Sequence, residues 1–261
     1  MKKVILAAAI SALLSSNAQA DTVAGIYIGG QVWNNEASGI FGESANQVDF
    51  NLSDEQQGSF YIALEHPIPF IPNAKIASTS LETTGSTVLQ NNIEFGDEPF
   101  SINADVDAGF DVSYVDYTLY YEIFDNGLFS FDIGLTGRDF SGDVTVSATV
   151  NTAPAGDTPV NTTSTGQVST DDIIPMIYAS TVVGLPFTGL NVFAEGNFLS
   201  IDDHTLYDYQ AGLSYDLVDN VMVDVNVTLG YRAVKLELED LSDLYTDLEF
   251  KGVFAGMILH F

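Results

Sequence analysis

The sequence has no cysteine, which excludes disulfides, thiolate metal sites and a cysteine nucleophile. Lysine and arginine number seven against 36 aspartates and glutamates. That imbalance argues against nucleic acid as a partner, because phosphate binding needs basic side chains. Beyond the N-terminal segment there is no run of eighteen apolar residues, so no transmembrane helix is expected. Charged residues are 16% of the chain, while tyrosine and phenylalanine together number 29. A disordered acidic chain would carry fewer aromatics, so a packed domain is expected.

The N-terminus reads as a secretory signal. Lys2 and Lys3 precede an apolar core from Val4 to Leu14, and Ala18-Gln19-Ala20 forms an A-x-A cleavage site. The expected division is a signal peptide over 1–20 and one domain over 21–261, starting at Asp21. Removing the two lysines leaves five basic residues and a net charge of −31.

Alternation with a period of two recurs along the rest of the chain, which marks β-strands with one apolar face. Val221, Val223, Val225, Val227, Leu229 and Tyr231 alternate with Met222, Asp224, Asn226, Thr228, Gly230 and Arg232. Tyr207, Tyr209, Ala211, Leu213 and Tyr215 alternate with Asp208, Gln210, Gly212, Ser214 and Asp216. In the last segment, Val253, Ala255, Met257, Leu259 and Phe261 share a face, and the sequence ends on an aromatic residue. Ten strands are expected, near 23–33, 57–66, 74–84, 110–124, 128–140, 172–185, 190–200, 205–217, 221–239 and 248–261. The third and sixth alternate poorly. Most have about the ten residues that a tilted strand needs to cross a bilayer.

Connections sort into short ones (Asn126-Gly127, Pro186 to Gly189, Asp219-Asn220, Pro67 to Pro72) and long ones (34–57, 85–109, 141–170). Asn-Gly favours a two-residue hairpin because both residues tolerate positive φ. With the tight exception at Asp202-Asp203, short and long alternate. This pattern predicts an all-β fold: an antiparallel up-and-down transmembrane β-barrel of about ten strands, with eight as the alternative. A soluble β-sandwich also alternates, but fits poorly with aromatics near both strand ends. Tyr121, Phe129, Tyr215 and Phe261 fall at the turn end, and Phe198, Tyr207 and Tyr231 nearer the loop end, like interface girdles. After Ala233 the apolar residues change phase to Val234, Leu236 and Leu238, as a bulge or a strand projecting above the membrane with both faces in water would do; the clustered charges of Lys235, Glu237 and Glu239 favour projection.

The Gly29-Gly30 pair with Trp33, the signal segment and the final Phe261 together resemble a family of largely uncharacterised proteobacterial outer-membrane barrels. The resemblance implies a fold and a Gram-negative outer-membrane location with both termini periplasmic. It also implies contact with outer-membrane lipid and lipopolysaccharide, and recognition of the C-terminal strand by the barrel-assembly machinery. It carries no catalytic residues.

If the apolar positions face lipid, Asp116, Glu122, Asp132, Arg138, Glu195, Asp208, Asp216, Asp224 and Arg232 line the lumen. Such a set either packs as neutralised pairs or lines a narrow, porin-like pore that favours cations. The expected role is structural or that of a small-solute pore, with no cofactor. An omptin-like surface protease or other hydrolase is the alternative. Asp202 with His204 loosely resembles the Asp-His pair of the ten-stranded omptin barrels, with Asp105 and Asp107 as acidic partners. The acidic loops, Asp105 to Asp111 in particular, could attract divalent cations. His66 and His260 read as interfacial residues at the turn end.

Overall fold

The computed structural model describes residues 24–43, 46–152, 160–201, 204–218, 220, 223–241 and 244–261. The expected signal segment lies outside these residues, as does Asp202. The strands are β1 (Gly25–Glu43), β2 (Glu55–Glu65), β3 (Asn73–Thr79), β4 (Glu82–Val88), β5 (Ile93–Phe95), β6 (Glu98–Phe100), β7 (Asp105–Asp125), β8 (Phe129–Thr152), β9 (Val160–Leu185), β10 (Leu190–Ile201), β11 (His204–Val218), β12 (Asp224–Leu241) and β13 (Leu244–His260).

All pairings are antiparallel. Their order is β3-β2-β1-β13-β12-β11-β10-β9-β8-β7-β4, and β7 also pairs with β3, closing the sheet. β3 lies against Tyr114–Tyr120 and β4 against Asp105–Asp111, so the two are halves of one strand broken at Ser80-Leu81. Counting them as one gives a closed ten-stranded barrel, as the alternation predicts. β5 and β6 form a separate small hairpin. Closure brings the ends together: Ile26 and Phe261 exchange both backbone hydrogen bonds, at 3.0 and 3.1 Å. Both ends therefore lie with the short turns, at what is called here the turn end.

The third strand alternates poorly because its outward positions are small. Ile76 sits between Ala74 and Ser78, so no apolar stripe stands out. The long connections also differ from expectation. Much of 34–57, 85–109 and 141–170 is β-structure, because β1 runs on to Glu43, β7 starts at Asp105, and β8 and β9 pair out to Thr152 and Val160. At this loop end the strands continue as a raised wall.

The polarity of the two faces inverts partway up that wall, while the same positions keep pointing inward. In the lower part of β12, Leu229 and Tyr231 point outward and are exposed, while Thr228 and Arg232 are buried inside. Higher up, Val234, Leu236 and Leu238 occupy the inward positions and are buried, while Glu237 and Glu239 point out. β7 does the same, from outward Tyr117, Leu119 and Tyr121 to inward Val112, Phe110, Ala108 and Val106. The phase change after Ala233 is therefore neither a bulge nor a strand wetted on both faces. Pairing with β11 is unbroken there. The outward medium becomes polar, and the inward face joins an apolar core instead of water.

That core fills the loop-end half. Phe41 stacks on Phe50 with ring centroids 4.6 Å apart, and Phe110 lies 5.9 Å from Phe41 and 6.0 Å from Phe250. Phe95 and Phe100 of the β5–β6 hairpin and Leu81 at the strand break complete it. The loop-end half of the lumen is therefore filled by buried apolar side chains in mutual contact.

Candidate functional site

Below the apolar core the lumen narrows to a layer of buried charge. The β7–β8 register sets Asp116 opposite Arg138. Arg138 Nε and Nη2 donate to the two oxygens of Asp116 at 2.8 and 2.7 Å, a bidentate pair. Nη2 also donates to Asp208 Oδ2 at 2.7 Å. From the other side, Arg232 Nε and Nη2 donate to Asp208 at 2.9 and 2.8 Å. Tyr114 Oη donates to the same carboxylate at 2.7 Å, and its ring lies 3.7 Å under the Arg138 guanidinium. Asn197 Nδ2 donates to Asp116, and Arg232 reaches Ser59 and Thr79. Two arginines and two aspartates thus cancel in charge, and each carboxylate is held by several donors, the condition under which buried ions persist.

A second layer lies nearer the turn end. Lys75 Nζ donates to both oxygens of Glu195, at 3.0 and 2.8 Å, and is 4.5 Å from the centre of the Tyr61 ring. Gln210 Nε2 donates to Glu195, Gln31 Nε2 donates to Gln210, and Tyr178 Oη donates to Glu195. A cavity of about 630 Å³ is lined by this second layer and runs from Asp208 and Arg232 down to the Pro67–Ile71 turn. Its lower wall includes Glu65, Glu122, Asp125 and Asp132, and Tyr120 Oη donates to Glu65 Oε1 at 2.7 Å.

The nine charged residues read from the sequence fall on three levels. Asp116, Arg138, Asp208 and Arg232 meet in the middle layer. Glu195 sits in the second. Glu122 and Asp132 face each other across the β7–β8 register beside the cavity. Asp216 accepts from Asn191 Nδ2 at 3.0 Å at the turn end, and Asp224 lies 3.4 Å from His260 Nδ1. Lys75, Tyr114 and Asn197 were not legible as members. Lys75 stands on the poorly alternating third strand, and the other two are uncharged. The signal that could have found Lys75 is its phase: it shares a face with Asn73, Ala77 and Thr79, opposite Ile76.

His204 Nδ1 accepts the Glu239 backbone N–H at 3.3 Å. Asp105 and Asp107 are exposed on β7, and β8, β9 and β10 lie between them and His204 in the sheet. Among the described residues no three histidine, aspartate or glutamate side chains gather closely enough to hold a metal ion. At the loop end, hydrogen bonds from Ser169 and Gln167 hold the Asp143 carboxyl below its ordinary range, so it stays charged.

No protein-family model and no curated protein matches the sequence. Among solved structures, it is similar to a deltaS2S3 mutant of TodX, a monoaromatic hydrocarbon channel from Pseudomonas putida (10% identity, 95% of this chain and 93% of that chain, TM-score 0.36). It is also similar to a Pseudomonas aeruginosa FadL homologue (7%, 92% and 90%, TM-score 0.37) and to Pseudomonas putida OprB at high pH (9%, 98% and 96%, TM-score 0.22). At such low scores the similarities carry no weight for function, and the fold rests on the strand pairings above.

Proposed function

We propose that this chain is an integral outer-membrane β-barrel of a Gram-negative bacterium, with its turn end and both termini in the periplasm, and that its role is structural. The observation that carries the reading is the inversion of polarity between the two faces of the sheet. Around the lower barrel, Ile28, Ile62, Leu119, Leu135, Leu213, Leu229 and Val253 point outward and are exposed, while the interior is polar. Only an apolar outer medium rewards that arrangement. Aromatic residues rim the belt: Tyr121, Phe129 and Tyr215 on the turn side, and Phe198, Tyr209 and Tyr231 on the other, as expected at two lipid interfaces. The acidic outward residues above the belt suit an aqueous outer face, where lipopolysaccharide and its divalent cations are the neighbours. β13, which closes the barrel against β1, is the segment that the assembly machinery would read.

The lumen favours a structural role over a pore. A cation-favouring pore needs acidic side chains along a continuous wet path. Here Asp116 and Asp208 are consumed by Arg138 and Arg232, and the path above them is filled by Phe110, Phe140 and Phe250. The hydrolase alternative lacks an assembled base and acid among the described residues. Planar-bilayer recording on refolded protein tests the assignment: a silent membrane is expected, and discrete single-channel steps would overturn the structural role. The barrel itself is checked on the same sample by SDS gel mobility with and without boiling. A folded form that migrates differently is expected, and identical mobility would sink the barrel.

A further inference from the structure

Two turns at the turn end share a Pro-Phe pair in an unusual conformation. Phe70 in Ile68-Pro69-Phe70-Ile71 has φ 68°, and Phe187 in Leu185-Pro186-Phe187-Thr188 has φ 66°. Proline followed by positive φ is the geometry of a type II turn, whose third residue is ordinarily glycine or asparagine. The second turn is closed by Thr188 N–H donating to the Leu185 carbonyl at 3.3 Å. In the first, Tyr121 Oη donates to the Phe70 carbonyl at 3.0 Å. Glycine does take the left-handed positions close by, at Gly127 and Gly189. Yet Phe70 and Phe187 are 94% and 108% exposed, the two largest values among the bulky apolar side chains. Each ring therefore occupies a backbone conformation that disfavours it while packing against almost nothing in its own chain. Whatever favours phenylalanine there lies outside the barrel.

We infer that Phe70 and Phe187 are anchors that insert into the headgroup–acyl boundary of the periplasmic lipid leaflet. The inference rests on the membrane reading above. Both turns sit beside outward residues of the apolar belt, Leu64 and Tyr121 at the first and Leu185 and Val192 at the second. The rings thus extend that lipid-facing surface by one step. The two turns flank the β7–β8 turn, whose Leu128 is also exposed, so the anchored rim covers three neighbouring turns. Aromatic rings are the side chains that lipid interfaces hold best. Anchoring along one side sets the depth and tilt of the barrel.

Depth-resolved fluorescence tests this. Trp33 is the sole tryptophan and is buried, so its signal is a constant background. Phe70→Trp, Phe187→Trp and the mid-belt control Leu229→Trp are refolded singly into phosphatidylcholine vesicles brominated either near the headgroups or near the chain ends. Added emission from positions 70 and 187 should be blue-shifted and lose most of its intensity to the shallow bromines, while position 229 answers to the deep ones. Water-like, unquenched emission at 70 and 187 beside a quenched 229 overturns the anchors alone. An unquenched 229 overturns the membrane reading itself. A blue shift that needs added periplasmic extract identifies a protein occupant and overturns the lipid one. As a second arm, the Phe70→Gly, Phe187→Gly double variant relieves both left-handed positions. Its urea midpoint in vesicles should nevertheless fall, and a rise overturns the proposal.

Discussion

A Cβ added at Gly29 would stand 2.1 Å from the ring of Tyr61, the ring that faces Lys75. At Gly30 the nearest atom is a carbonyl oxygen 3.8 Å away. The two members of the Gly-Gly pair therefore do different work. Gly29→Ala must push Tyr61 off the wall and should cost about 1–3 kcal/mol, as overpacking does. Gly30→Ala should stay within about 0.5 kcal/mol, as surface changes do. Urea titration of the two variants in lipid checks the contrast, and equal effects would refute this reading of the pair. Asp208 is the acceptor shared by both arginines and Tyr114. Asp208→Asn leaves an excess positive charge in the buried layer and should cost about 3–5 kcal/mol, the usual effect of removing one partner from a buried ion pair. The folded band on an unboiled gel should weaken, and an unchanged band would show that the layer is not what holds the lumen. The charged members of this layer were legible in the sequence because alternation gave each strand a phase. Their mutual pairing was not, because it depends on the shear between β7, β8, β11 and β12, which periodicity does not record. The Tyr61 ring over Gly29 is hidden for the same reason.

At the scale of a strand, β12 carries both solvents along its length. Leu229→Arg places a charge in the lipid belt and should cost about 2–4 kcal/mol if it lies near the bilayer midplane. Leu236→Ala, seven residues higher and pointing the other way, should cost about 2–5 kcal/mol through the cavity it opens. The two are separable by medium. Changing the lipid for one with longer chains should move the Leu229→Arg penalty and leave the Leu236→Ala penalty alone. Equal sensitivity of both penalties would place the belt boundary elsewhere. Strand positions and the ten-fold count were legible from alternation and turn residues. The extent of strands at the loop end was legible only in part: Val144, Val146 and Ala148 alternate with Thr145 and Ser147 in β8, whereas Thr162 to Thr165 of β9 form a ribbon without an apolar stripe to reveal it. Phe50, Phe95 and Phe100 reach the core from connecting segments, whose packing no period predicts.

For the whole molecule, the short-turn and long-connection rhythm and the closing strand made the barrel legible, while the apolar filling of its loop-end half was not. Counting inward carboxylates favours a wet acidic channel. The opposite arrangement depends on where the five basic residues beyond Lys3 go. Lys75, Arg138 and Arg232 are all spent inside the barrel on Glu195, Asp116 and Asp208, leaving Lys235 and Lys251 at the loop end. The outward surface at that end is therefore almost wholly acidic. The inversion of polarity also separates how the two halves of the barrel stay folded. The half above the charged layer is held by burial from water, which urea weakens directly. The half below is held by its backbone ladder and by lipid, and yields to urea only at higher concentration. One continuous sheet thus joins two cooperative units, and denaturant should melt the outer one first while the inner ring stays protected against amide exchange.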